Sequence, residues 1–141
     1  MRMNSFSSSF GQTTMHMCFV TKYRHKVFSF ERIKSFCEHM IRKTAAKYDI
    51  EVKEIGFDKD HVHMLLGLKP TMSPSEASRL LKGVSSRKIF LAFPWLKNIL
   101  WGGHLWSPAY FFDSVGDNTF DHLTGYVRNQ GNSTRLQAVV I

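Results

Sequence analysis

At 141 residues the chain is a single domain, large enough for a hydrophobic core but too short for two. Lys and Arg number 19 against 11 Asp and Glu, and the formal charge of +8 favours a polyanionic partner by long-range attraction and counterion release. No run of about 18 apolar residues exists, which excludes a membrane-spanning helix.

Residues 1–14 are rich in serine and lack an apolar signal segment, so they are expected to be a flexible lead-in. Residues 15–22 read as a first strand, with Met15, Met17 and Phe19 on one face and Cys18 and Val20 on the other. The basic turn Lys22-Tyr23-Arg24-His25-Lys26 follows. A helix is expected over about 30–48, where Phe30, Ile33, Phe36, Cys37, Met40, Ile41 and Ala45 keep three-and-four spacing. Ser29 is placed to cap it, and Phe28 to pack on Ile33 as a hydrophobic staple. Cys18 and Cys37 lie in apolar runs without metal-ligand spacing and read as reduced core thiols.

A second strand spans 50–57, and Asp58-Lys59-Asp60 turns the chain into a third strand at 61–68. Ser73-Pro74-Ser75-Glu76 is a capping box with proline at the first helical position, opening a helix that Pro94 ends at about Phe93. Gly83 inside that helix either admits another backbone closely or is simply tolerated. A loop with Gly102-Gly103 and Pro108 leads to a fourth strand at 109–115. Asp117 or Asn118 then caps a last helix over about 119–130, with Phe120, Leu123 and Val127 as its packing stripe. The tail, 131–141, is too short and mixed to place. Strand, helix, strand, strand, helix, strand predicts an α+β fold of the ferredoxin-like, split βαβ kind: an antiparallel sheet with helices on one face, plus a C-terminal helix.

The chemistry lies in two places. In Asp60-His61-Val62-His63-Met64-Leu65-Leu66, strand alternation points His61 and His63 one way and Val62, Met64 and Leu66 toward the helices. Asp60 is expected to point away from both imidazoles by the same alternation. Paired neutral imidazoles form half of a divalent-metal site. Tyr126 and Gln130 are one helical turn apart on one face. A phenol, an amide oxygen and a metal together suit nucleophilic attack on a phosphodiester. His61, His63 and Gln130 would hold one Mg²⁺ or Mn²⁺, and Tyr126 would be the nucleophile. His122, one turn before Tyr126, could approach its hydroxyl, although outward-facing solvation is the commoner role. Lys22, Arg24, Lys26, Lys82, Arg87 and Lys88 could track phosphates, and Tyr23, Trp101 and Trp106 could stack on unpaired bases. For the two tryptophans, core packing is the simpler reading.

The ordered set of these motifs resembles the short HUH tyrosine transposases, the transposase A type that moves insertion sequences as single-stranded DNA. The resemblance runs through Thr21-Lys22-Tyr23-Arg24, the His61-Val62-His63 strand, Leu81-Lys82-Gly83 with Ser85-Ser86-Arg87, Leu100-Trp101-Gly102-Gly103-His104-Leu105-Trp106-Ser107-Pro108, and Tyr126 with Gln130. It covers roughly residues 15–130, essentially the whole domain. It implies a ferredoxin-like fold, cleavage and rejoining of single-stranded DNA through a 5′-phosphotyrosine, and hairpin-containing element ends as partner. It further implies a cytoplasmic, DNA-associated prokaryotic protein. A homodimer, in which the tyrosine helix of one subunit completes the histidine site of the other, is likewise implied by the resemblance alone. Other readings stay open: an HUH-class replication initiator or relaxase-like nickase, a non-catalytic single-stranded nucleic-acid-binding module, and a two-histidine metal hydrolase or oxygenase.

Overall fold

The period-two pattern around Met15, Met17 and Phe19 does produce a strand, β1 (Thr13–Thr21), and all three side chains are buried in the core. The structure, a computed structural model, describes residues 12–115 and 137–140. β1 therefore takes in Thr13 and Thr14 from the expected lead-in and stops one residue short of Lys22. Two short 3₁₀ turns, Lys22–Arg24 and Val27–Ser29, carry the chain to helix α1 (Glu31–Lys47).

Ser29 does not cap α1. Its amide and that of Phe30 bond back to Lys26 and Val27, which places Ser29 inside the preceding turn; Phe30 holds the cap position without a side-chain bond. Phe28 is buried, with its ring against Phe57 (4.9 Å) and Trp106 (5.7 Å). Ile33, Cys37, Met40, Ile41 and Ala45 form the buried stripe of α1, while Phe30 is exposed at its start. At the other end Asp49 takes a left-handed φ of 58°, and the Ile50 amide reaches back to the Ala45 carbonyl at 2.8 Å. That is a Schellman closure with aspartate in the place usually held by glycine.

Strands β2 (Glu51–Phe57) and β3 (His61–Leu68) form an antiparallel pair across the expected turn, where the Asp58 amide bonds the His61 carbonyl. Helix α2 (Pro74–Ala92) begins as its sequence requires, with the Ser73 hydroxyl accepting from the Glu76 amide at 3.0 Å. A Cβ added at Gly83 would meet nothing within 4 Å, so no backbone approaches there and the residue is simply tolerated.

Strand β4 (Trp106–Val115) starts three residues earlier than expected and includes Pro108. Its register with β1 shifts between Phe19 and Thr21, so Pro108 sits at an irregularity where no regular ladder bond is demanded of it. A fifth strand, β5 (Gln137–Val140), pairs antiparallel with β4, from Ala109 with Val140 to Phe112 with Gln137. Residues 137–140 of the tail are thus placed, on the sheet edge. The sheet order is β2-β3-β1-β4-β5, antiparallel throughout, with β3 and β1 central as the split βαβ reading requires.

The core lies between this sheet and the helices, joining Met17, Phe19, Val62, Met64 and Leu66 to Ile33, Ile41, Leu81 and Ile89. Both cysteines are buried thiols outside any disulfide; burial pushes the Cys18 thiol up to about 12 and raises that of Cys37 as well, so neither is a reactive thiolate. The helix expected over 119–130 lies outside the described residues.

Candidate active site

β3 turns Val62, Met64 and Leu66 into the helix-side core, so His61, His63 and Leu65 project from the opposite face of the sheet. The two imidazole centroids are 6.2 Å apart and the rings are inclined by 46°. His61 is buried and held from one side: its Nδ1 lies 2.8 Å from Asp60 Oδ1. Asp60 Oδ2 accepts in turn from Arg24 Nε at 3.0 Å. Burial pushes the Asp60 carboxyl up, but the bonds from His61 and Arg24, with the Arg24 charge, outweigh it and hold the group below the usual carboxylate range.

An ionised carboxylate can only accept, so Nδ1 carries the imidazole proton and Nε2 presents a lone pair. Nε2 is buried and has no hydrogen-bond partner among the described residues; the nearest carboxylate, Asp58 Oδ2, is 3.8 Å away. A carboxylate on one ring nitrogen and a free lone pair on the other is how metal-ligating histidines are oriented. The donor set therefore fits a divalent cation.

The placement of Asp60 corrects the expectation that alternation turns it away from both imidazoles. Asp60 belongs to the turn: its carbonyl accepts from the Thr21 amide (2.9 Å) and hydroxyl (3.1 Å), and strand alternation begins only at His61. Asp60 engages Nδ1 and so acts on His61 rather than beside it as a further ligand. Among the described residues, no group of three or more His, Cys, Asp and Glu side chains could hold a metal ion. Gln130 and Tyr126, with His122, lie outside the described residues.

His16 was missed in the sequence, although period two places it on the same face as Cys18, which pairs with His63 across β1 and β3. It is fully buried, and burial, followed by repulsion from His63, lowers its pKa from 6.5 to about 4. The folded chain holds His16 neutral down to that pH, whereas an unfolded chain protonates it near 6.5. Its contribution to stability is thus intact above pH 6.5 and is lost as pH falls toward 4, by up to roughly 3 kcal/mol. Denaturant melts at pH 7 and 4.5 should show a His16→Asn chain losing less stability on acidification than the wild type. Equal losses would mean that the folded protein protonates His16 freely.

The basic residues fall into separate places. Tyr23 and Arg24 both adopt φ of 56°, a conformation costing non-glycine residues about 1–3 kcal/mol each and recurrent at functional sites. The turn is held by Thr21 Oγ1 on the His25 carbonyl (2.7 Å) and the Lys22 amide on the Leu105 carbonyl (2.8 Å). Tyr23 is consequently 72% exposed, with Lys22 Nζ 5.4 Å from its ring centre, and Arg24 ties the turn to Asp60 beside His61. Arg87 and Lys88 are exposed on the helix layer, where they line a groove of about 460 Å³ with Lys43, Lys47, Phe36 and Tyr48.

Lys82 is not placed for a phosphate. Its Nζ is turned inward, donating to the Ser107 and Ala109 carbonyls at 2.8 Å each and lying 5.3 Å from the centre of the Phe19 ring. Burial lowers its pKa to about 8. Trp106 is core, as the simpler reading held: it is buried, and its Nε1 donates to Ser85 Oγ at 3.0 Å.

A family model described as "Transposase IS200 like" matches residues 9–130. The chain is 36% identical over 119 residues to the ISDra2 transposase TnpA of Deinococcus radiodurans, covering 84% of each protein. It is 32% identical over 115 residues to the transposase for insertion sequence element IS200 of Salmonella typhimurium, covering 82% of this chain and 74% of the relative. A crystal structure from Deinococcus radiodurans, described as a transposase, superimposes with a TM-score of 0.68 at 34% identity, over 84% of this chain and 91% of that one. A REP-associated tyrosine transposase bound to a REP hairpin shares the fold, with a TM-score of 0.60 at 17% identity over 84% of this chain and 66% of its own.

Proposed function

The chain belongs to the IS200-like transposase family, and from that premise we propose that it cuts and rejoins single-stranded DNA at insertion-sequence ends through a covalent bond to Tyr126. The observation that carries the chemistry is the paired imidazoles, with His61 Nε2 left free by the Asp60 bond to Nδ1. His61, His63 and Gln130 would hold a divalent cation. When bound, Mg²⁺ or Mn²⁺ offsets the negative charge that develops on the scissile phosphate, and imidazole nitrogen suits Mn²⁺ better.

Tyr126 attacks phosphorus in line, the bond to the 3′ oxygen breaks, and that oxygen leaves as a 3′-hydroxyl. The 5′ side stays joined to the phenol. With a reference pKa near 10, the phenol is a better leaving group than an alkoxide, so another 3′-hydroxyl can displace it without ATP. The turn carrying Tyr23 and Arg24 projects beside His61, where an unpaired base can stack on the exposed phenol ring. The Arg87–Lys88 groove lies on the helix layer and suits a more distant stretch of backbone. The REP hairpin held by the related fold supports a hairpin DNA partner here. The resemblance adds a homodimer, with the tyrosine of one subunit serving the histidines of the other.

The test is incubation of the full chain with Mn²⁺ and labelled single-stranded oligonucleotides from its flanking DNA, followed by a denaturing gel. A protein–DNA adduct and a new 3′-hydroxyl end are expected. Binding with no adduct would sink the catalytic reading and favour a binding module.

The phosphate contacts make a separate prediction. Replacing both Arg87 and Lys88 by alanine should weaken single-stranded DNA binding for every sequence and reduce the salt slope by about 1.4, roughly 0.7 per contact. Lys82→Met should leave the slope unchanged and show its effect in a thermal melt, because Nζ is bound to two carbonyls inside the fold. Fluorescence anisotropy across a salt series separates the two outcomes.

A further inference from the structure

We propose that Gly56 is a positioning residue, whose missing side chain forms the seat in which the His63 imidazole lies. Gly56 is in the interior of β2 and is the register partner of His63 on β3, so the two project to the same face. A Cβ built at Gly56 would lie 2.9 Å from His63 Nε2, 3.3 Å from Nδ1 and nearer still to Cε1. The imidazole therefore occupies the volume that any other residue at 56 would fill. On its far side His63 pairs with Cys18 of β1, which is buried, so the ring has no free sideways retreat within the sheet.

The usual reasons for glycine are absent. Its backbone φ is not positive, unlike those of Gly102 and Gly103. The register shift of this strand pair falls between Val52 and Glu54, away from Gly56. Glycine inside a strand gives up packing and costs chain entropy, so its presence needs a local return. Room for an imidazole supplies one. Gly67 makes the contrast: a Cβ there would meet the carboxamide of Gln12, the far end of a flexible side chain.

This inference rests on the reading of His63 as a metal ligand, so the test separates the two. Mn²⁺ binding to the full-length protein is measured by calorimetry for the wild type, Gly56→Ala, Gly67→Ala and His63→Ala. Gly56→Ala should lose at least tenfold in affinity, and Gly67→Ala should stay within twofold. Thermal melts then complete a double-mutant cycle: Gly56→Ala should lower Tm by several degrees in the wild-type background and not at all beside His63→Ala. If Gly56→Ala alone fails to fold, the His63→Ala partner should restore folding. An equal penalty in both backgrounds, or wild-type Mn²⁺ affinity in Gly56→Ala, overturns the inference. Wild-type affinity in His63→Ala instead overturns the metal reading, and the melts alone then decide whether the seat exists.

Discussion

A Tyr126→Phe chain should form no denaturation-resistant adduct with its DNA, a loss of at least about 10³-fold set by gel sensitivity, while binding the same oligonucleotide within about twofold. The substitution removes one oxygen and keeps the ring, so packing and charge are unchanged and only the nucleophile disappears. Loss of cleavage with intact binding separates this from a folding defect, which would lower both. The control is Tyr23→Phe. Tyr23 is 72% exposed, and its neighbour Arg24 bonds the same aspartate as His61, which ties its turn to the imidazole pair. Tyr23→Phe should cleave like the wild type, with at most a modest loss of binding from the missing hydroxyl. An adduct that survives Tyr126→Phe and vanishes in Tyr23→Phe would move the nucleophile to the first turn.

The sequence was most legible where a side-chain period met one partner surface. His61-Val62-His63-Met64 alternates because one face of β3 must fill the core, and that fixed which way the imidazoles point. Ser73 and Glu76 announced α2 because a cap is a local device, complete within four residues. Illegible features were those decided at a distance. Lys82 reads as a surface cation until the Ser107 and Ala109 carbonyls are brought to it across the fold. Residues 137–140 carry too short a pattern to identify alone and become a strand because β4 offers an edge. Asp60 defeated the alternation rule because the rule does not extend into a turn. His16 was readable, since period two places it beside the histidine face, but a single histidine among Met15, Met17 and Cys18 looks like core until its neighbour His63 is in view. Tyr126 and Gln130 remain legible only through the resemblance and their one-turn spacing.

Graded losses of cleavage should follow the chain of bonds from His61 outward. His61→Ala removes the free Nε2, and the phosphate charge it helps to neutralise is worth several kcal/mol, so cleavage should fall on the order of 10³-fold. Asp60→Ala leaves both imidazoles in place but frees His61 Nδ1 from its 2.8 Å partner, so the ring can take the other tautomer. Partners of this kind cost about 10–100-fold in metal affinity or activity, and the loss should appear in Mn²⁺ affinity as well as in rate. Asp60→Asn keeps an oxygen that can accept from Nδ1–H and should recover part of it. Arg24→Ala breaks an ion pair whose arginine is 67% exposed, and water screens such pairs heavily. Its effect on Mn²⁺ affinity should stay within about threefold, leaving any larger loss to show as weaker DNA binding. The order His61, Asp60, Arg24 in metal affinity is the signature of a ligand, its orienting carboxylate and an outer prop. Wild-type Mn²⁺ binding and cleavage in Asp60→Ala would show that the imidazole holds its tautomer without help, and the assignment of Nε2 as the ligand atom would lose its physical basis.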